Sequence, residues 1–272
     1  MNTSTEASNT VEHARLEMNI DRTIAVITLS DEAKRNALSR RLLEAFIEAC
    51  RECERQQVRA MILKTHAQSG VWSSGHDIEE LPCDGHDPLS PKSPLEKAIR
   101  TLRCCPFPVI ALVQGSVWGG AVELMASCDI VIADERACFA VTPAKIGLPY
   151  NITGLQHFNE RLSYGAIKRL FFIASPIRAE EALRVGLIDE VVPATHIEEH
   201  AMDTARQIAR NAPLAVTAVK QQLRLLSDGK TISVTMVEKT AEVRCRAYQA
   251  ADYREGIVAF RERRPPQFTG KA

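Results

Sequence analysis

The chain has 272 residues, of which 45% are hydrophobic and 25% charged, and its 34 basic residues balance 34 acidic ones. This balance excludes the strongly basic surface typical of nucleic-acid-binding proteins, and no apolar run is long enough to span a bilayer. The length fits one large domain or two small ones. The first residues lack an apolar core and a basic start, so we expect residues 1–13 to form a disordered tail and not a signal peptide.

The eight cysteines show neither a disulfide framework nor the spacing of zinc ligands. This usage predicts a cytoplasmic protein without a metal site. Cys50 and Cys53 have the spacing of a redox motif, but they lie on the apolar stripe of a predicted helix and not at its N-terminus. We therefore interpret them as buried structural thiols.

The first half of the chain predicts alternating strands and helices. Residues 15–20 and 24–29 alternate as a hairpin does, and Ser39 is suited to cap a helix from about 40 to 55. Strands recur, with helices between them, near residues 60–65, 108–114, 129–133 and 187–192. This order of elements indicates an α/β fold.

Two later regions have a different character. Residues 82–94 form a loop rich in Pro, Gly and Ser, and a lid over a substrate or a surface loop without catalytic duty both remain open. From about residue 194 the pattern is helical, with one helix predicted to start at Pro213 and to end at Asp228-Gly229.

The stretch Gly119-Gly120-Ala121-Val122-Glu123 follows the strand near 108–114 and opens an apolar helix. The first N–H groups of a helix are unpaired and partly positive, and glycine lets a substrate oxygen approach them closely. The stretch is therefore a candidate oxyanion hole. A glycine-rich turn that serves packing alone is the alternative.

A similar stretch, from Trp72 through Gly75 and His76 to Ile78, follows the strand near 60–65. It again combines small residues with a glycine ahead of a predicted turn. Two such turns can present two converging donors, the N–H groups of His76 and Gly120, to one substrate oxygen.

These two motifs together resemble those of the enoyl-CoA hydratase/isomerase, or crotonase, superfamily, and the resemblance covers residues 15–270. It implies an α/β fold in which residues 14–193 form a crotonase-like β-β-α spiral and residues 194–272 a C-terminal helical oligomerisation region. It also implies an acyl-CoA substrate and a homo-oligomer, either a trimer or a dimer of trimers. Neither nucleic acid nor membrane is expected as a partner.

Hydratases of this superfamily use two glutamates, of which the first matches Glu123. The second position is occupied here by Pro143, which cannot act as an acid or base. With Thr142 and Tyr150 nearby, the resemblance implies cofactor-independent decarboxylation of methylmalonyl-CoA, or a close malonyl-CoA analogue, to propionyl-CoA and CO2 through an enolate. The alternatives are an enoyl-CoA hydratase or isomerase, and a non-catalytic acyl-CoA-binding member.

The catalytic candidates are His76, Gly120, Thr142, Tyr150 and Glu123. Glu123 is interpreted either as a proton donor to the enolate or as a structural carboxyl, and Tyr150 either as a hydrogen-bond donor or as a packing residue. Thr142 depends on the resemblance alone.

The resemblance places a longer set of residues along the acyl-CoA. Lys34 and Arg35 belong to a basic turn, for which a solvated surface turn without a ligand is the alternative interpretation. Asp77 is interpreted as a turn or cap residue. The set consists of Lys34, Arg35, Ala37, Ser74, Gly75, His76, Asp77, Ile78, Gly119, Gly120, Thr142 and Arg263.

Overall fold

Two β-sheets form the centre of the molecule in the computed structural model, which describes residues 9–13, 15–82, 87–227, 241 and 245–270. The strands are β1 (Asn9–His13), β2 (Leu16–Asp21), β3 (Ile24–Leu29), β4 (Ala60–Thr65), β5 (Val71–Ser73), β6 (Val109–Val113), β7 (Ser116–Trp118), β8 (Ile130–Asp134), β9 (Cys138–Ala140), β10 (Ile177–Arg178) and β11 (Glu190–Val192). The larger sheet has the order β1-β2-β3-β4-β6-β8-β11, and the smaller has the order β10-β9-β7-β5.

Helices follow the strands and cover the sheets. They are α1 (Arg40–Arg55), α2 (Pro94–Cys104), α3 (Gly120–Ala126), α4 (Ile152–Asn159), α5 (Tyr164–Lys168), α6 (Ala179–Val185), α7 (Ile197–Ala209), α8 (Pro213–Ser227) and the C-terminal helix (Ala251–Glu262). Short 3-10 turns occur at Glu32–Lys34, Ala67–Ser69, Ile78–Glu80 and Pro143–Ile146. No helix of the described ranges has both the length and the apolar character needed to cross a bilayer.

The hairpin and the first helix are confirmed. β2 and β3 pair antiparallel, and α1 starts after Ser39, whose Oγ accepts the N–H of Leu42 at 3.3 Å. The last predicted strand is shorter than expected, because Leu187 donates its N–H to the carbonyl of Ala182 and thereby closes the end of α6.

The N-terminal segment differs from its prediction. Asn9–His13 forms β1, which pairs antiparallel with β2, so these residues are not the disordered tail expected from the sequence. Without β1, β2 would be an edge strand with a row of unpaired backbone groups. Residues 1–8 lie outside the described residues.

Three consecutive units repeat one path, in which a strand of the large sheet leads into a short strand of the small sheet and then into a helical turn. The strand pairs of these units are β4–β5, β6–β7 and β8–β9. Within the small sheet β5, β7 and β9 run parallel, so the turns that follow them come to the same end of the sheet. The repeat is the expected β-β-α spiral.

The large sheet is buried on both faces. Ile62, Ile110 and Leu112 pack with α7, whereas Met61 and Leu63 belong to the main core on the opposite face. Strands that are covered on both sides have continuous apolar sequences. This explains why β4 and β6 could be predicted as strands without an alternating pattern.

The Cys50 and Cys53 side chains are buried, as their position on the apolar stripe of α1 predicted. Burial raises the pKa of the Cys53 thiol to about 12, which keeps it protonated and unreactive. The prediction for the helix after Pro213 is confirmed at its start, and its predicted end at Asp228-Gly229 lies outside the described residues.

Removal of the cap of α1 provides a test of this fold. Ser39→Ala leaves the N–H of Leu42 without its side-chain acceptor, so we expect the free energy of unfolding to fall by about 1 kcal/mol in urea titrations. Ser175→Ala, at an exposed position, is the control and should change it by less than about 0.5 kcal/mol. Equal losses in the two variants would contradict the capping role.

Candidate active site

A largely apolar cavity of about 110 Å³ lies where the turns after β5, β7 and β9 meet. It brings together seven of the residues proposed from the sequence with six that the site prediction did not include. The lining consists of Ser74, His76, Ile78, Leu81, Leu89, Leu95, Gly119, Gly120, Thr142, Pro143, Ile146, Leu148 and Tyr150.

A larger open groove of about 860 Å³ lies elsewhere, between α8 and the starts of β6 and β8. Six of its charged side chains pair with one another: Arg103 with Glu160, Lys220 with Asp129, and Arg161 with Asp189. None of the sequence-predicted site residues lines it. The smaller cavity is therefore the candidate active site.

Two backbone turns form one wall of the cavity. Gly120 is the first residue of α3, so its N–H has no acceptor within that helix. His76 forms a parallel bridge with Leu38, and the carbonyl of Gly75 accepts the N–H of Leu38 at 2.8 Å. The structure thus brings both predicted oxyanion residues, His76 and Gly120, to one cavity.

The close approach of these turns requires glycine. Gly75 has φ of +90°, and a Cβ at this position would lie 2.6 Å from the carbonyl oxygen of Trp118. Gly119 also has a positive φ, of 53°, and donates its N–H to the carbonyl of Ala140 at 2.8 Å. These glycines hold the three successive turns against one another.

Gly120 is confined from the other side by α2. A Cβ on Gly120 would lie 2.8 Å from Cδ2 of Leu95, which itself lines the cavity. Any side chain at Gly120 would therefore move Leu95 as well as occupy the wall of the cavity.

Glu123 lies behind the cavity wall and is only 2% exposed. The Tyr150 hydroxyl donates to Oε2 of Glu123, and Nδ1 of His157 lies 2.9 Å from Oε1. Burial and the adjacent charge of Glu123 raise the pKa of Tyr150 well above its ordinary value. Tyr150 therefore presents a neutral, protonated hydroxyl next to the cavity.

A second buried carboxylate, Glu96, lies near Glu123. Its Oε1 accepts a hydrogen bond from Nδ2 of Asn151 at 2.7 Å, and the same amide donates to the carbonyl of Leu89 at 2.5 Å. Burial raises the pKa of Glu96, although the bond from Asn151 acts in the opposite direction. This group joins α2, the loop before it and α4 behind the cavity.

The sequence reasoning missed Glu96, Asn151 and His157. Ser93 and Glu96 have the spacing of a capping box, and Ser93 Oγ does accept the N–H of Glu96 at 3.3 Å. The Glu96 carboxylate nevertheless turns toward Asn151, which a capping box alone does not indicate. His157 lies in an amphipathic helix far along the chain from Glu123, and no local signal links the two residues.

The predicted basic turn is fixed beside the cavity without lining it. Lys34 Nζ lies 3.0 Å from Asp77 and 2.9 Å from Glu79, and the Ser74 N–H donates to the carbonyl of Arg35 at 3.0 Å. Ala37 is buried next to this turn. Asp77 also caps the turn Ile78–Glu80 by accepting the N–H of Glu79, in keeping with its interpretation as a cap residue.

The enoyl-CoA hydratase/isomerase family model matches residues 19–271. The chain belongs to this family. It is 38% identical to the methylmalonyl-CoA decarboxylase of Escherichia coli over 91% of this chain and 95% of that protein. It is 30% identical to a probable enoyl-CoA hydratase of Rhodobacter capsulatus, over 91% of this chain and 95% of that protein.

A solved family structure matches the fold over nearly the whole chain. It is a methylmalonyl-CoA decarboxylase complexed with 2S-carboxypropyl-CoA, with a TM-score of 0.79 and 36% identity, and the match covers 96% of this chain and all of that one. The α/β crotonase-like fold expected from the sequence is thereby confirmed.

Other features expected from the family lie wholly or partly outside the cavity lining. Arg263 is exposed at the end of the C-terminal helix and does not line the cavity within this chain. The loop 82–94 contributes Leu89 to the lining, while residues 83–86 lie outside the described residues, so its role as a lid stays a prediction. Among the described residues, no three His, Cys, Asp or Glu side chains gather in a group suited to a metal ion.

The contact between Gly75 and Trp118 provides a test of this site. Gly75→Ala adds a Cβ against a carbonyl at a positive φ, whereas Gly147→Ala adds one at φ of +74° with nothing within 4 Å. We expect Gly147→Ala to lower the free energy of unfolding by about 1–2 kcal/mol and Gly75→Ala to cost about 1–3 kcal/mol more. Similar losses in denaturant titrations would show that the two turns are not packed as described.

Proposed function

We propose that this family member decarboxylates methylmalonyl-CoA, or a close malonyl-CoA analogue, to propionyl-CoA and CO2 without a cofactor. The composition of the cavity lining carries the proposal: it contains no carboxylate among the described residues, and Pro143 stands where family hydratases carry their second glutamate. Glu123 lies behind Tyr150 and is not part of the lining. Hydration needs an acid and a base at the substrate, whereas cleavage of the C–C bond needs neither to begin.

The proposed reaction depends on charge moving into the thioester. When the bond to the carboxylate breaks, its electron pair passes to the carbonyl and forms an enolate, and CO2 leaves as a neutral molecule. The N–H groups of His76 and Gly120 are the proposed donors to the enolate oxygen. Removal of one donor of this kind costs on the order of 10²–10³ in rate.

The surroundings of the substrate carboxylate also suit this chemistry. Leu81, Leu89 and Leu148 supply apolar surface, in which a carboxylate is costly and a CO2 molecule is not. Thr142 offers a neutral hydroxyl that can donate to the carboxylate, and the neutral hydroxyl of Tyr150 adds no charge repulsion. The cavity volume of about 110 Å³ favours a short acyl group.

The assembly and location of the protein are further parts of the proposal. Val219, Leu223 and Phe260 are exposed on the C-terminal helices, which supports a homo-oligomer, either a trimer or a dimer of trimers. All seven cysteines of the described ranges are unpaired, which supports a reducing, cytoplasmic setting.

The reaction type can be tested with the purified protein and a panel of acyl-CoA esters. We expect release of CO2 from methylmalonyl-CoA without added biotin, metal or sodium, because the lining provides all the groups that cleavage needs. Hydration of crotonyl-CoA should be weak or absent. Coupled CO2 detection and mass spectrometry of the thioesters measure both, and efficient hydration without CO2 release would reject the proposal in favour of a hydratase. Binding of both esters without turnover would identify a non-catalytic acyl-CoA-binding protein.

Tyr150 has a specific expected effect. Tyr150→Phe removes a hydroxyl that is proposed to act at the reacting part of the substrate. Because a hydrogen bond to a charged group contributes about 1.5–3 kcal/mol, kcat should fall roughly 10- to 150-fold with a smaller change in KM. Tyr164→Phe, at an exposed tyrosine, is the matched control and should behave as wild type. Wild-type turnover of a folded Tyr150→Phe variant would assign Tyr150 to packing.

A further inference from the structure

Decarboxylation of a malonyl-type thioester leaves a carbanion that needs one proton in every turnover. Ser74, Thr142, His76 and Tyr150 all carry protons at the cavity lining. Tyr150 differs because its hydroxyl continues into a buried pair of titratable groups, Glu123 and His157. This chain of contacts is therefore a candidate route for the proton.

The geometry of the chain is fixed by packing. The ring of Tyr150 packs edge to face against Phe171 at 5.0 Å and against Phe158 at 6.2 Å between centroids. Glu123 contributes one carboxylate oxygen to Tyr150 and the other to His157. The three polar groups thus lie in sequence, from the cavity to the buried face of α4.

The charges around Glu123 favour an extra proton on this chain. His157 is only 8% exposed and Glu123 only 2%. An unpaired buried carboxylate is costly, and Nδ1 of His157 lies 2.9 Å from Oε1 of Glu123, where a proton between the two groups would offset that cost. Glu96 on α2 also faces Glu123 and is itself faced by Arg100, and burial raises the pKa of Glu96. The raised pKa of Glu96 limits any second negative charge beside Glu123.

We propose that the Glu123–His157 pair stores one proton and delivers it through Tyr150 to the carbanion formed by decarboxylation. This inference rests on the proposed function. Tyr150 touches the substrate, and His157 acts through Glu123 as a positioning and proton-storing residue. The proposal extends the interpretation of Glu123 as a proton donor by adding His157, to which no sequence motif points.

The transfer balances in three linked steps. The carbanion takes the hydroxyl proton of Tyr150 and a C–H bond forms. Oε1 of Glu123, which is ionised at the start, takes the Nδ1 proton of His157, and the Glu123 carboxyl group then gives that one proton to the Tyr150 oxygen. The net change is one proton moved from the imidazolium to carbon, which leaves Glu123 ionised and His157 neutral. After the product leaves, a solvent proton entering through the opened cavity restores the pair.

The reverse of this step can be measured without decarboxylation. An enzyme that protonates the carbanion also removes an α-proton from propionyl-CoA, so mass spectrometry of propionyl-CoA incubated in D2O reports the transfer alone. We expect wild type to exchange deuterium into this position. His157→Gln keeps a hydrogen-bond donor but cannot store a proton, and it should lower the exchange rate roughly tenfold or more.

A pH profile separates proton storage from a structural role. Removal of the α-proton requires a neutral His157, so exchange by wild type should rise with pH and then level off. His157→Gln should lack this rise. His200→Gln breaks a surface His–Glu pair with a contact of 2.6 Å and is the matched control, which should keep the wild-type rate and profile.

Three results would overturn the inference. The first is wild-type exchange by His157→Gln, and the second is a loss of exchange in His76→Gln but not in His157→Gln. The third is a wild-type profile without the rise, which remains decisive if His157→Gln does not fold. Failure of the proposed function has a different signature, because wild type would then release no CO2 from methylmalonyl-CoA whatever the exchange assay shows.

Discussion

Close contact between consecutive backbone turns underlies the whole site. At Gly75 the chain approaches the carbonyl of Trp118 so closely that a Cβ would lie 2.6 Å from its oxygen. This approach follows from the parallel pairing of β5, β7 and β9, which aligns the turns at one end of the small sheet. His76, Gly120 and Thr142 belong to these turns, so the spiral itself sets their proximity.

The buried carboxylate of Glu123 imposes a second constraint. A charge in such a position must be hydrogen-bonded or neutralised, and here Tyr150 and His157 each contact one of its oxygens. The Tyr150 ring therefore closes the cavity while its hydroxyl faces the carboxylate. As a result, the Glu123 carboxyl group is kept one side chain away from the cavity.

The groups at the cavity bear on which reaction a member of this family can catalyse. The relatives of this chain include proteins named as hydratases and one named as a decarboxylase. Fold alone does not select among such activities; the groups at the cavity do. Among the described residues, the lining in this chain contains Pro143 and no carboxylate, and Glu123 lies behind Tyr150.

The sequence by itself determined the elements with strong local signals. The hairpin at β2–β3, the cap at Ser39 and the doubly buried strands β4 and β6 were all readable because each depends on neighbouring residues. The motif glycines also indicated the two turns of the site. The pairing of β1 with β2 was not evident, because an edge of a sheet recruits a strand through backbone groups that any sequence carries.

The tertiary structure alone decided the network behind the cavity. Glu123 and His157 are 34 residues apart, and Glu96 meets Asn151 across 55 residues, so no periodicity or spacing connects them. Arg263 shows the converse, since a motif position suggested a ligand contact that the fold of this single chain does not bring to the cavity. Hydrogen bonds between side chains depend on which helix faces come together, and that is fixed only when the core packs.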